Sequence, residues 1–191
     1  LLIILSLLSC NYSFSQNLIP NAYFTGSTCF LPFGMSIPPG WERSNYGGEV
    51  YGYDTLCLCG PTPPPWNCAG IKSAPFPKYK SGLMAAQIAE SPLGNGRNLL
   101  GTAFSAPLVM NTTYMVEYWY RPWARNNYHI DRIGAVVTND TVFQNNYMNY
   151  LPTVEQVKPI TDTTQWLHFK ESFIALGGEQ LIWIGNVRPM S

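Results

Sequence analysis

The sequence predicts an all-β protein with the architecture of a sandwich or barrel. Several short segments alternate apolar and polar residues with a period of two, and turn-forming residues separate them. Nowhere do apolar residues keep a helical period for three turns, so an α/β arrangement is not favoured. The chain of 191 residues is long enough for one domain with a well-buried core.

Composition excludes two broad classes. The formal net charge is zero and only 12% of residues are charged, which argues against a nucleic-acid partner, because such binding depends on neutralising phosphates. Apolar residues reach 46%, which argues against wholesale disorder. Aromatic residues make up 14% of the chain and include 12 Tyr and 6 Trp. They are the residues that a carbohydrate-binding surface would use.

The first residues resemble an export signal. Residues 1–8 read LLIILSLL, which matches the apolar part of a signal peptide but lacks a basic start, so we expect an N-terminally incomplete signal over residues 1–16. Cys10 follows a lipobox-like Leu-Leu-Ser and is a candidate for lipidation. We favour ordinary cleavage near Ser15 or Gln16, with a single domain over residues 17–191. No segment is long enough for a membrane span. The signal-like start predicts that the protein is exported and is extracellular or associated with the outer membrane or cell surface.

Residues 32–82 form a long stretch in which about a third of the residues are Gly or Pro. That density of breakers leaves no room for a regular helix or a long strand. The four remaining cysteines predict disulfides in an oxidising compartment, with Cys29 joined to one of the other three; they are Cys29, Cys57, Cys59 and Cys68. A zinc site is the alternative, although the CxC spacing lacks the paired CxxC of structural zinc sites.

Beyond residue 82 the pattern predicts strands at residues 83–89, 98–104, 113–121, 133–138, 166–175 and 180–187. Residues 113–121 (TYMVEYWYR) give the strongest signal. Their alternation places Met115, Glu117 and Trp119 on one face and the intervening residues on the other. We expect Trp119 to pack in the core, since Trp is usually largely buried. Turns are expected at residues 111–112, 139–140 and 177–178.

Aromatic residues next to polar ones are the candidate ligand-binding groups, because sugar rings stack their C–H faces on Trp and Tyr. One group follows the strongest strand, in the sequence YWYRPWARNNYH, and the other lies in the Gly/Pro-rich stretch. The candidate residues are Trp123, Tyr128, Arg125, Asn127, Tyr120, Trp66 and Tyr53.

Catalytic patterns are weak. No GxSxG, HExxH, GxGxxG or P-loop motif occurs. His129 and His168 are expected at the surface or a rim. Glu117 and Glu171, both on predicted strands, are the carboxylate pair that a glycoside-acting enzyme would need. We predict that the protein is not an enzyme.

Several stretches, taken in order, resemble one family. Residues 17–24 read NLIPNAYF, residues 39–41 read PGW, and residues 130–135 read IDRIGA. Residues 166–186 contain W, FIA, GGE and IGN in that order. Together these motifs resemble secreted Bacteroidetes-type domains with a galactose-binding-like jelly roll, and the resemblance runs from Asn17 almost to the C-terminus.

The resemblance implies a jelly-roll β-sandwich that carries the Gly/Pro-rich, Cys-containing stretch as an insert. Similar domains occur in envelope proteins with OmpA-type or sorting regions, and they usually continue past the IGN motif to a last strand, so we expect truncation at both ends. Thr25 stands where the family has a Glu that binds calcium in many related modules, and calcium prefers carboxylate ligands. We therefore predict no cofactor and leave a structural calcium ion in doubt.

The leading functional hypothesis is a non-catalytic exported module that binds a glycan or another cell-surface polymer for adhesion or targeting. The first alternative is a structural module of a larger envelope protein. The second is a small glycoside-acting enzyme.

Overall fold

The computed structural model describes residues 16–22, 39–43, 50–54, 82–86, 99–121, 130–142, 150–160, 162 and 164–186. These residues contain strands and connecting turns but no helix. In chain order the strands are β1 (Trp41–Arg43), β2 (Val50–Asp54), β3 (Gly82–Ala86), β4 (Leu100–Ala103), β5 (Thr113–Tyr120), β6 (Ile130–Thr138), β7 (Val154–Ile160), β8 (Leu167–Ile174) and β9 (Leu181–Gly185).

The strands form three antiparallel sheets. The largest has five strands in the order β1-β4-β9-β6-β7, and the pairs β2-β3 and β5-β8 form sheets of two strands. In the large sheet β9 lies between β4 and β6, so that Trp183 of β9 is opposite both Gly101 and Val136. Neighbouring strands of this sheet are antiparallel, although several of them are far apart in the sequence. No helix connects strands among the described residues.

A hydrophobic core joins the β5-β8 pair to the five-stranded sheet. Val116 of β5 and Phe169 of β8 pack with buried residues of the large sheet, among them Ile133, Ala135 and Ile182. In β5 and β8 the buried Val116 and Phe169 each lie between two exposed neighbours, as the period of two requires. The two sheets therefore face each other across a shared interior, which is the arrangement of a sandwich.

The five-stranded sheet is also covered on its other face. Trp183 lies there with Val136, and both pack against Leu99 and Val142. Trp183 is 1% exposed and Val142 is fully buried. Because β6 and β9 bury side chains on both faces, they read as nearly continuous apolar runs in the sequence.

The segment at residues 16–22 is tied to this core. The backbone N–H of Ser105 donates to the carbonyl oxygen of Leu18 at 2.9 Å, and Ile19 packs against the core between the sheets. The indole N–H of Trp41 donates to the carbonyl oxygen of Asn21 at 3.2 Å. The NLIPN stretch thus belongs to the packed structure, where it is hydrogen-bonded to Trp41 of β1.

The all-β prediction is confirmed for the described residues. All six strands predicted beyond residue 82 are present, most of them shortened by a few residues at their ends. In the Gly/Pro-rich stretch the described strands are short, with three residues in β1 and five in β2. The predicted turns at residues 111–112 and 177–178 are also observed.

Two predictions were incomplete or wrong. Strand β7 was not anticipated, because Pro159 and the charged residues around it weaken the strand pattern. Its place at the end of the five-stranded order explains the Pro, which lacks a donor and is tolerated in an edge strand. The expectation that Trp119 packs in the core was wrong, since its side chain lies on the face of β5 opposite to Val116.

No helix among the described residues has the length and hydropathy to cross a membrane.

Candidate functional site

The candidate site is the face of the β5-β8 pair that points away from the core, which we call the outer face. The register places Met115 opposite Ser172, Glu117 opposite Lys170, and Trp119 opposite His168. Directly opposed residues of antiparallel strands point to the same side, and alternate residues along a strand do so too. These three pairs therefore line one surface, with Thr113 and Ile174 continuing it at the far end.

An aromatic stack lies at one end of the outer face. The rings of Trp119 and His168 are 4.3 Å apart between centroids, with an angle of 13° between their planes. Such a cross-strand aromatic pair is a usual source of stabilisation in a sheet. Here the stack lies beside polar groups, and a combination of aromatic and polar side chains suits a ligand with apolar and hydroxyl-bearing sides.

The polar groups beside this stack share one carboxylate, that of Glu117, which contacts the His168 ring and forms an ion pair with Lys170. Glu117 Oε1 lies 2.9 Å from His168 Nε2, and Glu117 Oε2 lies 3.7 Å from Lys170 Nζ. The Glu117 side chain is 42% exposed and that of Lys170 is 53% exposed. Ion pairs at this exposure contribute little to folding, about 0–1 kcal/mol. The carboxylate of Glu117 and the ammonium of Lys170 are accessible to a partner at this exposure.

Tyr120, a predicted ligand-binding residue, lies on the opposite face of β5. Its half-buried ring packs against the core between the sheets, and its hydroxyl donates to Gln156 Oε1 at 3.3 Å. Partial burial raises the pKa of the Tyr120 phenol. The adjacent ring of Tyr118 stacks on Phe169 at 4.6 Å between centroids. Tyr120 therefore helps to join the two sheets and does not lie on the outer face. Its predicted role in ligand binding stays a prediction.

The other predicted ligand residues fall mainly outside the described residues. Tyr53 lies in β2, where its Cα partner is Leu83 of β3. Trp66 and the candidates of the segment between β5 and β6 lie outside the described part, as do all five cysteines; they are Trp123, Arg125, Asn127, Tyr128, Cys10, Cys29, Cys57, Cys59 and Cys68. Their roles stay predictions.

The carboxylate pair considered for catalysis is not assembled. Glu171 is opposite Val116 in the register, whereas Glu117 is opposite Lys170. Glu117 and Glu171 thus project from opposite faces of the β5-β8 pair, and they cannot flank one glycosidic bond. Among the described residues no group of three or more His, Cys, Asp or Glu side chains is arranged to hold a metal ion.

A further carboxylate has a structural task. Glu179, nearly buried, accepts a hydrogen bond from the backbone N–H of Leu176 at 2.7 Å through Oε1 and one from that of Gly177 at 2.8 Å through Oε2. Gly177 and Gly178 have φ angles of 101° and 89°, which residues with a side chain rarely adopt. The GGE motif therefore builds the tight turn between β8 and β9.

Sequence reasoning missed Lys170 and the position of Trp119 on the outer face. A signal was present in the sequence of β8, because His168, Lys170 and Ser172 are polar and alternate with Leu167, Phe169 and Phe173. That pattern marks the face with His168 as the solvent side. The alternation in β5 groups Trp119 with Met115 and Glu117, but the pairing with β8, which shows that this face points outward, is not indicated by the local sequence.

The chain was compared with protein families, with curated proteins and with solved structures, and none of them matched it.

Proposed function

We propose that the protein is a non-catalytic, exported binding module that recognises carbohydrate or another cell-surface polymer. Its fold would be a galactose-binding-like jelly roll, with the Gly/Pro-rich stretch as an insert held by disulfides. The two facing antiparallel sheets are compatible with this fold, and the sequence motifs around residues 17–24 and 166–186 support it.

The observation that carries the proposal is the Trp119–His168 stack with Glu117 bonded to its edge. A sugar ring has an apolar C–H face and a rim of hydroxyl groups. It can lie against an aromatic surface while a carboxylate accepts its hydroxyl hydrogens, so a site of this composition suits it. The carboxylate and the ammonium of Lys170 are both accessible for such bonds.

The predicted ligand-binding residues Trp123, Arg125, Asn127 and Tyr128 follow β5 closely in the sequence. Trp123 follows Trp119 by four residues, and four residues of extended chain span at most about 14 Å. Arg125, Asn127 and Tyr128 follow before β6 begins at Ile130. This proximity in sequence supports a binding surface to which both the outer face and the predicted residues after β5 contribute.

A glycan array tests this proposal directly. The full chain is expressed into an oxidising compartment, labelled, and applied to an array that includes monosaccharides, oligosaccharides and bacterial and plant polysaccharides. We expect binding to at least one class of glycan, with weaker binding by Trp119→Ala and by Trp123→Ala. Leu151→Ala serves as the control, because Leu151 is 78% exposed and lies away from the outer face on the approach to β7. Silence of the folded wild-type chain across the array would overturn the proposal.

One observation favours the second candidate function, a structural module of a larger envelope protein. Val109, Met110 and Leu176 are exposed apolar residues on two adjacent turns, and Leu176 is 82% exposed. Apolar patches of this kind often contact another protein surface. The complete reading frame distinguishes the two functions, because a structural module would be followed by an anchoring or sorting domain.

A further inference from the structure

The outer face continues well beyond the Trp119–His168 stack. Four opposed pairs line it, from Trp119 and His168 at one end to Thr113 and Ile174 at the other. Six residue steps along β5 separate these ends, which corresponds to about 20 Å of extended strand. The exposed band is therefore longer than a single sugar ring.

The chemistry of this band changes along its length. Ile174 is 66% exposed and Met115 is 52% exposed, so the end away from the stack has accessible apolar side chains, each opposite a hydroxyl side chain, Thr113 or Ser172. The centre consists of Glu117 and Lys170, with their charges paired. The band thus has aromatic or aliphatic side chains toward both ends, with polar neighbours, and a charged pair in the middle.

This order is unlike that of a protein–protein interface. The centre of such an interface is depleted of charged residues, and the polar groups form its rim. Burial of the Glu117–Lys170 pair under a protein partner would remove two charges from water, with a desolvation penalty that can exceed their attraction. A glycan brings hydroxyl groups that donate to the carboxylate and accept from the ammonium. These hydrogen bonds replace the ones that both groups make to water in the free protein.

We infer that the outer face binds an extended glycan chain, with several linked sugar units lying along β5 and β8. This inference rests on the proposed function and names its ligand class. A chain without net charge fits best, since the carboxylate of Glu117 and the ammonium of Lys170 balance each other. One sugar unit contacts the Trp119–His168 stack, the next ones bond to Glu117 and Lys170, and the last lies on Met115 and Ile174.

The test uses ladders of defined oligosaccharides. Isothermal titration measures the binding of the full chain to glucose, N-acetylglucosamine and xylose, and to their β-1,4-linked oligomers up to the hexamer, together with any glycan that the array identifies. We expect affinity to rise by about tenfold or more between monomer and tetramer of the recognised series, as separate contacts add along the band.

Two variants and two matched controls locate the chain on the outer face. Glu117→Gln weakens binding of the long oligomer by about tenfold or more, the usual worth of a hydrogen bond to a charged group. Ile174→Ser weakens it by about threefold, since less apolar surface is covered. Glu171→Gln on the opposite face and Val157→Ser on β7, also an exposed position, leave the affinity unchanged.

The outcomes separate the two proposals. If the array shows binding but the monosaccharide binds as tightly as the hexamer, the inference of an extended chain is wrong while the glycan-binding function stands. The same conclusion follows if Glu117→Gln and Ile174→Ser, both with wild-type circular dichroism, bind the hexamer as the controls do. If no glycan binds at all, the proposed function itself fails and this inference fails with it.

Discussion

The contact between Gly101 and Trp183 gives the sharpest prediction for stability. These residues are directly opposed on β4 and β9, and the indole ring lies over the glycine. A Cβ added at Gly101 would lie 2.4 Å from two ring atoms, Cε3 and Cζ3, and 2.7 Å from a third. Ordinary contacts between carbon atoms are about 3.5–4.0 Å, so the ring would have to move by about 1 Å.

The ring has no room for such a movement. Trp183 is 1% exposed and is packed by Leu99, Val136 and Val142. Forcing one extra carbon into a closed core costs about 1–3 kcal/mol, and occasionally more. For a chain of this size 1 kcal/mol corresponds to about 2–4 °C in melting temperature. We therefore expect Gly101→Ala to lower the melting temperature by several degrees.

Urea unfolding followed by far-UV circular dichroism measures the loss in free energy of unfolding. A second substitution tests whether the contact with the indole ring causes it. Trp183→Leu removes the ring atoms that collide, so Gly101→Ala should cost less in that background than in the wild type. Trp183→Leu also deletes an indole N–H that has no hydrogen-bond partner in the described part of the chain. A Gly101→Ala variant within about 0.5 kcal/mol of the wild type, or strictly additive effects, would refute the reasoning.

Three further predictions concern the core, the turn after β8 and the loss of folding stability at alkaline pH. Phe169→Ala should lose about 3–5 kcal/mol in urea unfolding because Phe169 is fully buried, whereas Lys170→Ala beside it should stay within about 0.5 kcal/mol. Glu179→Gln should lose about 1–3 kcal/mol, since one of two backbone N–H groups in the turn is left without its acceptor. Burial, with a smaller effect of Tyr120, raises the pKa of the Tyr118 phenol, so above pH of about 10 the unfolded chain loses this proton while the folded chain keeps it. Stability should therefore fall as the pH rises through that range, and it should fall less in Tyr118→Phe; equal slopes in unfolding experiments at several alkaline pH values would contradict this.

Much of the strand structure follows from local sequence. Residues 113–121 are rich in strand-forming residues, with Val116 and four aromatic residues, and β5 occupies Thr113–Tyr120. No longer-range information is needed to predict the strand, because β-branched and aromatic residues favour it locally. The turn at Gly177 and Gly178 is equally local, since the backbone there requires positive φ angles that glycine adopts at no steric cost.

Strand β7 shows where local reasoning stops. The sequence VEQVKPI has a proline and charged residues, which are unfavourable for a central strand. They are acceptable at the end of the five-stranded order, and Val157 is 63% exposed there. Whether a segment takes an edge position depends on the assembled sheet, so the prediction needed tertiary information that the segment lacks.

The candidate site depends on tertiary information in the same way. Both faces of β5 carry aromatic residues, with Tyr118 and Tyr120 on one and Trp119 on the other, so aromatic content does not tell which face points inward. The decision comes from pairing with β8, whose polar His168 joins Trp119 and whose Phe169 joins Tyr118. A slip of this register by one residue would exchange the faces of β8 and place Trp119 on the side of Phe169. The outer face, with its stack and paired charges, is therefore a product of one strand register, and any substitution that shifts the register should abolish binding without removing a single residue of the site.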